Sequence, residues 1–77
     1  MDRILGLVDE LRRVKEEAGA GFEKDSRAQQ VAWTLLCEAQ EHGDPTLKPR
    51  ADGFIAEKVN SPVVILDRMT TLTSERI

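Results

Sequence analysis

Ser61-Pro62-Val63-Val64-Ile65-Leu66-Asp67-Arg68-Met69-Thr70-Thr71-Leu72 decides the fold of this chain. Its run Val63-Val64-Ile65-Leu66 is rich in β-branched residues, which favour a strand. Paired with residues 54–59, that strand would form a short C-terminal hairpin and an α+β domain. Three features point to a helix instead. Ser61 is a capping residue type. Pro62 suits the first helical position, where its fixed φ is already helical and its missing N–H has no partner to lose. Ile65, Met69 and Leu72 then recur at intervals of four and three, along one face of a helix. The helix is the preferred reading and the hairpin the alternative.

Upstream, Asp52 is the expected cap of a short third helix carrying Phe54, Ile55, Ala56 and Val59. Asn60 serves as its left-handed stop. Residues 52–73 thus read as helix, tight turn and helix. Thr46 to Arg50 reads as a loop bounded by Pro45 and Pro49. Before it, Ala28, Val31, Ala32, Leu35, Leu36 and Ala39 share one face of a helix over 26–42. Ser26 with Gln29 forms its expected capping box. His42, Gly43 and Asp44-Pro45 make a strong stop. Trp33 and Cys37 lie roughly 120–160° from the centre of the apolar face at 100° per residue. The helix is therefore apolar around much of its circumference and is expected to be the central one.

Residues 1–19 read as an amphipathic helix that Asp2 can cap. Ile4, Leu7, Leu11, Val14 and Ala18 form a seam at 3-4 spacing, widened by Leu5 and Val8. Asp9–Arg13, Arg12–Glu16 and Arg13–Glu17 stand four apart on the opposite face. Gly19 and Gly21 end the helix, and Gly19-Ala20-Gly21 reads as a linker. It lacks the Lys-Ser/Thr that follows a phosphate loop. The whole chain, 1–77, is expected to be a single all-α domain of four helices with a helix-turn-helix-like C-terminal half.

A chain of 77 residues buries only about 60% of its unfolded surface, so its core is marginal. One cysteine excludes an intrachain disulfide, and one cysteine with one histidine leaves no structural zinc site. Self-association remains as support. A homodimer through Ile4, Leu7, Leu11 and Val14 is expected. The net charge of -3 gives no global attraction to nucleic acid or anionic lipid. Residues 1–44 hold ten acids and six bases, whereas residues 45–77 hold four acids and five bases. No apolar run approaches the roughly 18–20 residues of a membrane span. The N-terminus carries acids beside its bases and does not read as a secretory signal. A lone cysteine fits a cytoplasmic location.

The stretch from Val31 to Ile77 resembles the helical core of bacterial winged helix-turn-helix regulators. Leu35-Leu36, Ile55-Ala56, Val59, Ile65, Met69 and Leu72 fill the apolar places of that pattern. The resemblance implies a DNA-binding transcriptional regulator with residues 61–72 as recognition helix. This copy departs from the pattern in its short turn Asn60-Ser61-Pro62 and in ending where the family's β-wing would begin. It also departs in the face that helix would show to DNA. Base edges and phosphates are read by Arg, Lys, Asn, Gln, Ser and Thr. Val63, Val64, Leu66 and Asp67 are apolar or acidic, and suit a protein contact better.

Catalysis needs a placed acid, base or nucleophile. Cys37 and His42 are five residues apart, about 140° around a helix, and do not form a dyad. Structural roles are expected for both, a packed thiol for Cys37 and a helix-end position for His42. Trp33 reads either as bundle-edge packing or as a binding anchor, since tryptophan is enriched at interface hot spots. Small acidic single-domain chains are common among phage and mobile-element inhibitors. The expected function is non-catalytic: regulation or inhibition by protein–protein binding through Trp33, Val63, Val64, Leu66 and Asp67. No catalytic residue, cofactor, metal or membrane partner is expected. A helix-turn-helix DNA regulator is the alternative.

Overall fold

The computed structural model describes residues 2–74. Four α-helices run over Asp2–Ala18 (α1), Ser26–His42 (α2), Leu47–Ala56 (α3) and Pro62–Ser74 (α4). A 3-10 turn, Gly19–Lys24, joins the first two. The described residues contain no strand, so the run Val63–Leu66 is helical and the fold is a small all-α domain. The capping side chain of Asp2 and the last residues of the Val31–Ile77 stretch that resembles winged helix-turn-helix regulators, Glu75–Ile77, lie outside what is described.

α1 and α2 are antiparallel. Arg3 pairs with Glu38 at 3.2 Å at one end, and Arg27 with Glu17 at 3.5 Å at the other. α3 folds back along the far flank of α2, where the Gln40 amide donates to Asp52 at 2.8 Å. α4 packs on α1 and α2. The core takes Ile4, Val8, Leu11 and Val14 from α1, and Ala28, Val31, Ala32, Leu35, Leu36 and Ala39 from α2. Leu47, Ala51, Ile65, Leu66, Met69 and Leu72 complete it from α3 and α4, with Phe22 from the 3-10 turn. Thr73 is buried among them, and its hydroxyl donates to the Met69 carbonyl at 2.8 Å.

This core corrects the expected dimer seam. Ile4 and Leu11 are fully buried inside the single chain and Val14 nearly so, while Leu7 is half-buried and packs against the same core. α2 and α4 together cover the stripe, so the protomer leaves it no free face. Val8 sits deeper than Leu7, and Leu5 is exposed.

Gly19 does end α1, with φ +58 in the region glycine enters without strain. The segment beyond it is more than a linker. It brings Phe22 under the core, where it is 2% exposed. Asp25, not Ser26, caps α2: its carboxylate accepts from the Ala28 N–H at 3.0 Å. Gln29, the other half of the expected capping box, donates its amide to the Glu23 carbonyl at 3.4 Å.

α2 stops at His42 as expected, but Gly43 has φ -67 and is not left-handed. What it supplies is space. A Cβ there would collide with the Ala39 carbonyl and lie 3.1 Å from the Leu47 Cβ. Asp44 then starts α3, its carboxylate accepting from the Thr46 and Leu47 N–H groups at 2.9 Å each. Residues 47–50, expected as loop, are therefore helix, and Pro49 falls in the first turn, where a missing N–H costs least. Asp52 lies mid-helix and caps nothing.

α3 ends in a Schellman motif. The Val59 N–H bonds to the Phe54 carbonyl and the Lys58 N–H to that of Ile55, both at 3.0 Å. Lys58 takes the left-handed place (φ 59) expected of Asn60. The connection to α4 is therefore Glu57–Ser61, longer than Asn60-Ser61-Pro62 alone. Ser61 caps α4 as expected, its hydroxyl oxygen accepting from the Val64 N–H at 3.4 Å, and Pro62 is buried behind it.

Candidate functional site

Helical geometry separates the four apolar or acidic residues at the start of α4. Leu66 points inward and is 6% exposed, so it belongs to the core and not to a contact surface. Val63 is 38% exposed and Val64 half-buried, while Asp67 is exposed. Four consecutive helical residues span about 300°, and so small a bundle does not bury them all. Val63 and Val64 are what it leaves out.

They line an open groove between α4 and α1. Arg12, Lys15 and Glu16 form the α1 wall, and Val63, Val64 and Asp67 the α4 wall, with Leu66 beneath. Arg12 spans the groove. One guanidinium nitrogen lies 3.3 Å from the Asp9 carboxylate, and the other donates to the Thr70 hydroxyl at 3.4 Å. On the outer side of α4, Arg68 pairs with Glu57 at 3.4 Å and lies 5.0 Å over the Phe54 ring. That cation–π contact joins the end of α3 to α4. Ser61 donates its hydroxyl proton to the Glu23 carboxylate, which ties the 3-10 turn to the start of α4. The apolar pair therefore stands on a helix braced at its start and at its middle, beside charges of both signs.

Trp33 does not join this groove. It is 47% exposed on the outward stripe of α2, two turns before Gln40, where α3 reaches only the end of that stripe through the Asp52–Gln40 hydrogen bond. α1 covers the opposite flank of α2. The structure thus brings Val63, Val64 and Asp67 together, removes Leu66, and places Trp33 on a separate face. Arg12 and Lys15, the cationic wall, went unread as site residues. In sequence they look like members of ordinary charge pairs on a solvated face. Only the position of α4 gives them a role.

Cys37 is half-buried on the Trp33 stripe. His42 is exposed at the end of α2, its Nε2 3.9 Å from Glu38 and 3.8 Å from Glu41. Among the described residues, no three His, Cys, Asp or Glu side chains are grouped to hold a metal ion. No helix among them is long and apolar enough to cross a membrane. Comparisons with protein-family models, curated proteins and solved structures find no match to this chain.

Proposed function

We propose that this protein is a small non-catalytic regulator of the cytoplasm that binds another protein in the α1–α4 groove and blocks the surface it covers. The observation that carries this reading is Val63, exposed beside Val64 in a groove whose α1 wall is cationic at Arg12 and Lys15. An apolar pair held on a rigid helix is suited to a partner's apolar anchor. The flanking charges set orientation and reject wrong partners. The matching ligand is an amphipathic segment with one or two apolar anchors and an acidic flank facing Arg12 and Lys15, a helix-in-groove mode.

The test sets this reading against the DNA-binding one. Immobilised wild-type protein is expected to retain a stoichiometric protein from its native cell extract. Val63→Lys, with unchanged helical circular dichroism, is expected to lose it. The wild-type protein should show no preference among duplexes. Tight binding of a particular duplex, falling steeply with added salt as phosphate contacts require, overturns the reading in favour of a DNA regulator using α4.

A further inference from the structure

The outward stripe of α2 has a property the groove does not explain. Ser26, Gln30, Trp33, Cys37 and Gln40 recur at spacings of four and three, and Gln29 lies beside them. All are exposed except half-buried Cys37, and none is charged, in a chain whose residues are 32% charged. The exposed positions of α1 are, by contrast, almost all acids and bases. The 3-4 spacing is that of a helix pair, and a neutral stripe meets a copy of itself without like-charge repulsion. Trp33, the only tryptophan, stands midway along it.

We propose that a second copy of this chain packs on this face, with the two α2 helices antiparallel and the twofold axis close to Trp33. Charge placement selects the antiparallel arrangement. Arg27 and Glu41 are exposed near opposite ends of α2 and on the same flank of the stripe. A twofold axis between antiparallel helices keeps each flank on its own side and exchanges the ends. Arg27 therefore meets the partner's Glu41, twice per dimer. A parallel pair, whose twofold axis runs along the helices, would put the two copies of Arg27 on opposite flanks, and likewise Glu41, and so would leave both charges without this cross-partner pairing. The two tryptophans meet at the centre, where bulky aromatic anchors contribute most. The opposed ends offer serine and glutamine side chains to one another as donors and acceptors. One helix face is a small interface, so the dimer is expected to dissociate in the micromolar range. It leaves the α1–α4 groove open and goes beyond the docking function, so either stands without the other.

Sedimentation equilibrium and the fluorescence of Trp33, both over a dilution series of the full chain, test this directly. The expected result is a monomer–dimer equilibrium. Trp33 emission should shift to shorter wavelength, and acrylamide quenching should fall, in step with the dimer fraction. Arg27→Glu and Glu41→Arg are each expected to weaken association about tenfold, and the double variant to restore it. Trp33→Gln is expected to abolish it with the helical spectrum unchanged. A monomer at every concentration up to millimolar overturns the proposal. So does a dimer in which Trp33 quenching is independent of concentration, since that dimer uses another face. Failure of the double variant to recover overturns the antiparallel arrangement.

Discussion

Lys58 occupies the one backbone position among the described residues where a side chain is paired with a positive φ, 59°. The Schellman motif that closes α3 needs a left-handed residue there, and any residue with a Cβ pays roughly 1–2 kcal/mol to supply it. Lys58→Gly should therefore raise stability by about 0.5–1 kcal/mol, once the greater freedom of glycine in the unfolded chain is set against the relieved strain. A urea titration of the two proteins measures it, and equal or lower stability of the glycine variant would show that Lys58 is not strained. Asp44 acts in the opposite sense. It satisfies two amide groups at the start of α3, and Asp44→Ala should cost about 1–2 kcal/mol. Asp52→Ala, which removes only an exposed hydrogen bond to Gln40, should cost less than about 1 kcal/mol in the same assay.

At the scale of elements, all four helices are legible in the sequence, and the one start that is not is that of α3. α2 and α4 follow from apolar spacing, and both run where the pattern placed them. The start of α4 was read from Ser61-Pro62 as cap and first helical position. Asp44-Pro45 is the same device, yet beside Gly43 it reads as the end of α2, and so the first turn of α3 with its buried Leu47 reads as a loop. Phe22 goes unread because Gly19 breaks the helix before it. Burial on α1 was legible, but not what covers it, because spacing reveals an apolar face and not its occupant. Leu11→Asp accordingly buries a charge within the protomer. It should unfold the isolated chain, a loss of more than about 3 kcal/mol, and not merely separate two folded subunits. Circular dichroism of the variant decides this: a folded monomer would restore the α1 seam as a subunit contact.

Taken whole, the molecule measures about 34 × 26 × 16 Å, so a single layer of buried side chains serves all four helices. That thinness leaves apolar residues exposed in separate places, Leu5 on α1, Val63 with Val64 beside α1 and Trp33 on the far side of α2. Of the candidate site, sequence spacing alone showed that the start of α4 held more apolar residues than a small bundle buries. It did not show that Leu66 was the one taken inside, nor that Arg12 and Lys15 would face the remainder. Both depend on how α4 leans on α1, which no local pattern encodes. The affinity of the captured protein for three forms of the chain tests the central claim most directly. Calorimetric titration should show Val63→Lys weakening binding by more than about 1 kcal/mol while remaining folded, the size expected of a contributing interface residue. Trp33→Gln should bind as the wild type does. Unchanged affinity for folded Val63→Lys, or loss of binding confined to Trp33→Gln, would contradict a partner site in the α1–α4 groove.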